Sequence, residues 1–93
     1  MKPYYVYILW SDSGHRFYIG VSEDIAARLG QHNAGVSKWT KRYAGTWRPV
    51  WHQQCASLGD ARKLENWLKR QKGGIGFWQR TGLDRDAFRL FGS

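Results

Sequence analysis

The sequence predicts a small α+β fold, a three-stranded antiparallel sheet flanked by helices in the order β-β-α-β-α with a short C-terminal helix. Three observations predict it. The runs Tyr5-Val6-Tyr7-Ile8-Leu9 and Phe17-Tyr18-Ile19-Gly20 stand on either side of the turn formers Ser11-Asp12-Ser13-Gly14-His15, the pattern of a β-hairpin. Two later stretches carry helix-start and helix-stop residues around apolar positions spaced three and four apart. A third strand-like run, Val50 to Cys55, lies between those stretches.

Each element has a local cause. Residues 4–10 are apolar or aromatic throughout, which suits a strand buried on both faces. Residues 16–21 are its antiparallel partner, and the hairpin brings Tyr7 close to Tyr18. Ser22 is the expected N-cap of a first helix, with Glu23 and Asp24 in its first turn. That helix runs to about Asn33, and Gly35 stops it. Residues 36–48 have no clean period and read as a basic, aromatic loop. After Pro49 comes the third strand. Ser57-Leu58-Gly59-Asp60 fits a helix-opening capping pattern, so a second helix is expected from about 60 to 72, ended by Gly73-Gly74. Lys69, Arg70 and Lys72 suit the negative end of its dipole. Residues 75–80 are expected to form one more turn and residues 84–91 a short final helix, with Phe77, Trp78, Phe88 and Phe91 as packing residues.

Composition sets the functional frame. The chain of 93 residues is read as one domain with a single modest core. Fifteen Lys and Arg against seven Asp and Glu give a formal charge of +8 and a pI near 10.1. That balance points to a polyanion, of which nucleic acid is the commonest. A membrane is the rival partner, but no apolar run approaches the roughly 20 residues a spanning helix needs. Met1-Lys2-Pro3 leads straight into a strand-like segment without the apolar stretch of a secretory signal. The single cysteine, Cys55, has no internal disulfide partner and suits a reducing, cytoplasmic setting. One Cys and three scattered His make no zinc-type cluster.

Helical geometry singles out the ionisable residues. At about 100° per residue, Arg28 falls about 60° from Ile25 and His32 about 20°, so both lie on the stripe that Ile25 and Leu29 mark. On the second helix, Glu65 lies about 40° from Ala61, within the stripe of Ala61, Leu64 and Leu68. Burying a lone charge costs several kcal/mol, so these groups need partners or water. A cleft lined by Tyr7, Tyr18, Arg28, His32 and Glu65 satisfies all of them. An Arg28–Glu65 ion pair tying two helices together, with His32 as a hydrogen-bonded filler, satisfies them too.

This order of residues resembles the GIY-YIG nuclease family. In that family two tripeptides lie on neighbouring strands, and a tyrosine helps cleave a phosphodiester. Here the second tripeptide, Tyr18-Ile19-Gly20, matches fully. The first reads Tyr5-Val6-Tyr7, departing at two positions and keeping the final tyrosine. The resemblance covers about residues 4–72. Gln31-His32-Asn33 followed by Gly35 looks like the compact, stand-alone branch, which is similar to the N-terminal domain of excision-repair nucleases. In the loop Ser37-Lys38-Trp39-Thr40-Lys41-Arg42, Trp39 stands where that branch carries a tyrosine.

The resemblance implies roles. Tyr7 and Tyr18 are the motif tyrosines, Arg28 the arginine of the first helix, and Glu65 the carboxylate that holds one divalent metal. A single carboxylate suits a hydrated Mg²⁺ or Mn²⁺. Arg28 offers a planar fork to a phosphate oxygen. Tyr7 takes a proton from the attacking water, which requires nearby cations to lower its pKa from near 10. His32, ordinarily close to neutrality, is a second candidate base. Tyr18 orients Tyr7 or the water, and Gly20 allows close approach of backbone or substrate at the strand end. Lys38, Trp39, Lys41 and Arg42 of the loop, with Arg62, Lys63, Lys69 and Arg70 of the second helix, are expected to contact phosphates without reading sequence. The expected activity is metal-dependent cleavage of DNA, in preference to RNA, in a repair setting, with homodimerisation as one way to cut two strands. The alternative is a nucleic-acid-binding module on the same scaffold whose catalysis is weak or lost.

Overall fold

Every residue from Val6 to Ser11 is buried, because strand β1 (Tyr4–Ser11) lies in the middle of the sheet. The computed structural model describes residues 3–88. Strand β2 (Arg16–Ser22) pairs antiparallel with one edge of β1 and β3 (Trp47–Cys55) with the other, giving the order β2-β1-β3. The helices are α1 (Ile25–Asn33), α2 (Leu58–Gln71) and α3 (Ile75–Thr81), with 3-10 turns at Lys41–Tyr43 and Arg85–Phe88. The predicted α+β architecture and element order hold. No helix among the described residues is long and apolar enough to cross a membrane.

Alternation along β1 divides the core between the two faces of the sheet. On one face Val6, Ile8 and Ile19 pack against Ala61 and Leu68 of α2 and Phe77 of α3. On the other, Tyr7, Leu9 and Trp47 pack against Ile25 and Leu29 of α1, with Tyr18 and Tyr43 alongside. The two helices that carry the ionisable stripes therefore lie on opposite faces.

Several boundaries differ from the sequence reading, each for a physical reason. The N-cap of α1 is Asp24, not Ser22: its side chain accepts from Ala27 N at 3.0 Å. Ser22 belongs to β2, and its hydroxyl folds back onto the Asp24 backbone. Glu23 and Asp24 thus precede the helix. Strand β3 begins at Trp47, three residues before the predicted start, and runs through Pro49. An edge strand tolerates this because its pairing slips there. Ile8 faces Trp51 and Leu9 faces Pro49, leaving Val50 as the extra residue of a bulge where the ring owes no ladder bond. The segment expected to be wholly loop thus contains a 3-10 turn and the first residues of a strand. Helix α2 starts at Leu58, directly after its cap, Ser57, whose hydroxyl accepts from Asp60 N at 3.1 Å. The turn expected over 75–80 is a short helix. The final helix expected over 84–91 is a 3-10 turn at Arg85–Phe88, and Phe91 lies outside the described residues.

The loop before β3 is anchored from two sides. In the hairpin turn, a Cβ on Gly14 would sit 2.7 Å from the ring of Tyr43, so only glycine lets the turn close onto that ring. The left-handed residue of the turn is instead His15, at φ 51°, a side chain tolerated there more readily than most. From the other side, the Asn33 amide accepts from Trp47 N and donates to Trp47 O, both at 2.9 Å. It acts as a one-residue neighbour strand that ties the end of α1 to the start of β3. Replacing Asn33 with alanine leaves both backbone groups unpaired. The expected loss is about 2 kcal/mol of stability, measured as a shift in the urea unfolding midpoint at constant slope.

Candidate active site

Tyr7 and Gly20 face one another directly across β1 and β2, while Tyr18 sits opposite Leu9, one diagonal step away on the same face. The Tyr7 and Tyr18 ring centroids are 6.2 Å apart. The Tyr7 ring lies over Gly20 so closely that a Cβ there would come 2.6 Å from the Tyr7 hydroxyl and 3.0 Å from the Tyr18 ring. Gly20 therefore makes room for the catalytic candidate itself, in mid-strand. It does not provide the opening for substrate at a strand end that the sequence suggested.

The Tyr7 hydroxyl lies 3.0 Å from His32 Nε2, and His32 Nδ1 lies 2.6 Å from Thr40 Oγ1. All three side chains are buried, at 1%, 0% and 0% exposure. A neutral imidazole donates through one nitrogen and accepts through the other, so the chain Tyr7–His32–Thr40 carries its hydrogen bonds in a single direction. Thr40 is held in turn by Trp47 Nε1, which donates to its carbonyl at 3.0 Å. Burial lowers the His32 pKa to about 4, with the Arg28 charge adding to the effect. Burial also pushes Tyr7 up to about 12, against the opposing pull of the Arg28 guanidinium beside its hydroxyl. These values correct the sequence reading, which needed cations to lower Tyr7 and placed His32 near neutrality. Desolvation outweighs the nearby cation in the first case and removes the charge in the second. The neutral pair is the resting state.

The remaining candidates surround this pair unevenly. Arg28 is half-buried and bonds Gln31 on its own helix. The Glu65 carboxylate, 12% exposed, pairs with Lys69 Nζ at 3.2 Å, one turn further along α2. Among the described residues no Arg28–Glu65 ion pair forms. The Arg28 guanidinium, beside the Tyr7 hydroxyl, lowers its pKa, and the more weakly felt Glu65 charge raises it. Tyr18 is half-buried and turns toward an open groove of about 580 Å³. Trp39, Arg42 and Lys69 line that groove with it, as do Arg16 and Lys72, neither of which the sequence reading assigned to a nucleic-acid surface. Trp39 is 79% exposed, with the Lys38 ammonium 5.7 Å from its ring centroid. Lys41 and Arg62 are exposed without lining the groove, and Lys63 borders a separate depression with Gln54, Asp60 and Arg80. Thr40 was missed because it lies eight residues beyond His32 in a stretch without periodicity, and only loop closure brings it to the ring.

Among the described residues no group of three or more His, Cys, Asp and Glu could hold a metal. The donor set is one carboxylate, which fits a divalent ion that keeps most of its waters and does not fit a stripped, fully protein-coordinated one.

A family model described as the GIY-YIG catalytic domain matches residues 3–75. The chain belongs to the GIY-YIG family. This nuclease-type domain is 38% identical over 71 residues to a UPF0213 protein of Lacticaseibacillus paracasei, covering 75% of this chain and 78% of that protein. It is 34% identical over 67 residues to a UPF0213 protein of Yersinia pestis, covering 72% of this chain and 70% of that protein. No solved structure matches it significantly.

Two outcomes test the buried pair of this GIY-YIG domain. Replacing Gly20 with alanine is expected to displace the Tyr7 ring and cost about 1–3 kcal/mol in chemical denaturation. The second outcome concerns pH. Between His32's folded pKa near 4 and its ordinary 6.5, the unfolded chain binds the extra proton. Stability is therefore lost as pH falls through that window, by about 2–3 kcal/mol on reaching pH 4.5. Urea unfolding at pH 7.5 and 4.5 checks this against His32→Gln, in which that share of the loss should vanish. Equal losses in both proteins would mean that His32 is protonated inside the fold.

Proposed function

We propose that this GIY-YIG domain is a nuclease that hydrolyses phosphodiester bonds in DNA, with one Mg²⁺ or Mn²⁺ ion on Glu65. The observation that carries the reading is the Tyr7 hydroxyl, bonded to His32 Nε2 with the Arg28 guanidinium beside it. Hydrolysis needs a proton acceptor for water, positive charge on the phosphate and help for the leaving oxygen. Arg28 binds a non-bridging phosphate oxygen, its fork matching that geometry. Tyr7, neutral at rest, accepts a hydrogen bond from the attacking water while donating its own proton to His32 Nε2. As the water's proton moves to the Tyr7 oxygen, the phenolic proton passes to the imidazole, so no free tyrosinate of pKa near 12 is required. Thr40 holds the imidazole in the orientation this relay needs. Tyr18 positions the water from the groove side. When bound, the ion supplies Lewis-acid polarisation of the phosphate and stabilisation of the leaving oxygen. The basic groove beside Tyr18 supplies phosphate contacts whose strength falls with salt.

A second reading, a binding module whose catalysis is weak or lost, draws on the near-complete burial of Tyr7. Cleavage of labelled single-stranded, duplex, flap and branched DNA, and of RNA, in Mg²⁺, Mn²⁺ or EDTA separates the two. The nuclease reading expects cuts that need metal and fall on the order of 10²–10³-fold in both Glu65→Gln and Tyr7→Phe, with binding retained. Salt-sensitive binding with no cuts from any protein would favour the module. Equal cutting by wild type and Glu65→Gln would exclude the proposed site.

A further inference from the structure

A second cavity, of about 890 Å³, opens where the hairpin meets the chain after α2. Its apolar wall is aromatic: Trp10, Phe17, Trp78 and Phe88, with ring centroids between 4.8 and 6.4 Å apart in the contacting pairs. Phe17, Trp78 and Phe88 are only half-buried, so each keeps part of its surface toward the opening. Its rim carries the cations Arg16, Lys72 and Arg85 beside a single carboxylate, Asp86. Burial chiefly, and then the charges of Arg16 and Lys69, weaken the hold of Lys72 on its proton. A cavity of this size holds an organic ligand of a few hundred Å³. Flat apolar rings under a rim of crowded cations suit a ligand that is aromatic at one end and anionic at the other.

The cavity adjoins the groove that holds Tyr18: Arg16, Phe17 and Lys72 line both. It is also built in part from residues beyond the GIY-YIG match, which ends at residue 75, while Trp78, Arg85 and Phe88 follow it. We infer that this cavity is a second nucleic-acid subsite that takes one unpaired nucleobase against Phe17, Trp78 and Phe88, with the adjoining phosphates on Arg16, Lys72 and Arg85. The inference rests on the nucleic-acid reading above and deepens it by naming the form of strand bound. A base inside a duplex has both faces covered by its neighbours, so only an unstacked base can use such a wall. The base comes either from a single-stranded segment or from a nucleotide extruded from a duplex.

Photo-crosslinking in EDTA, with no cleavage required, tests this. Single-stranded oligonucleotides carrying 5-iododeoxyuridine, and duplexes with one bulged 5-iododeoxyuridine, are irradiated with the whole protein, and the crosslinked peptides are mapped by mass spectrometry. Adducts on Trp78, Phe88 or Phe17 are expected. Adducts from the single strand alone assign the subsite to single-stranded segments, and adducts from both assign it to extruded bases as well. Arg85→Gln alters an exposed side chain and leaves the aromatic wall intact. It should lower the slope of log affinity against log salt by about one and reduce these adducts several-fold. Adducts confined to Trp39 and the Tyr18 groove, or an Arg85→Gln protein identical to wild type in both readouts, would overturn the subsite while leaving the nuclease proposal standing. No binding to any oligonucleotide at low salt would overturn both.

Discussion

The hydrogen bond between Tyr7 and His32 Nε2 joins the central strand to the helix that covers one face of the sheet, and through Thr40 it reaches the loop before β3. Three polar side chains with almost no solvent contact are tolerable only if each satisfies the others, since an unpaired buried donor or acceptor costs about 1–3 kcal/mol. Among the described residues every buried side-chain nitrogen and oxygen has a partner. That requirement fixes the position of α1 over the sheet, the absence of a side chain at Gly20 and the closure of the 36–46 segment onto Trp47.

The same burial sets the chemistry. A solvent-exposed histidine four residues after an arginine would titrate near neutrality. This one is neutral down to about pH 4, and the tyrosine it bonds stays protonated to about pH 12. In the proposed reaction, acid–base work at this pair is a coordinated transfer along a chain of hydrogen bonds, not the action of one ionised group. The two helices that carry Arg28 and Glu65 stand on opposite faces of the sheet, and only the Arg28 guanidinium lies beside the Tyr7 hydroxyl. Around the β2 edge the surface changes from buried and apolar to open and basic, with Tyr18 at the boundary between the two.

Much of this was legible in the residues themselves. Strand, turn and helix signals of period 2 and 3.6 are local, so the hairpin, both main helices and the shared orientation of Arg28, His32 and Glu65 toward the sheet follow from spacing alone. The positive charge pointed to a polyanion before any geometry. Where local signals competed, the reading failed. Pro49 masked the start of β3 because a proline argues against a strand until a bulge removes its need to donate. Ser22 and Asp24 are both acceptable caps, and only the path of the chain out of β2 selects Asp24.

What the sequence by itself determined is the order of elements, the sign of the charge and the residue types available for chemistry. The tertiary structure alone decided the protonation of Tyr7 and His32, the partnership with Thr40, the reason for Gly20 and the joining of Arg16 and Lys72 to the groove. The division has one physical cause. Periodicity and capping depend on neighbours within a few residues. Desolvation, close packing and the shape of a cavity depend on which distant segments exclude water from a given atom, and no local pattern encodes that.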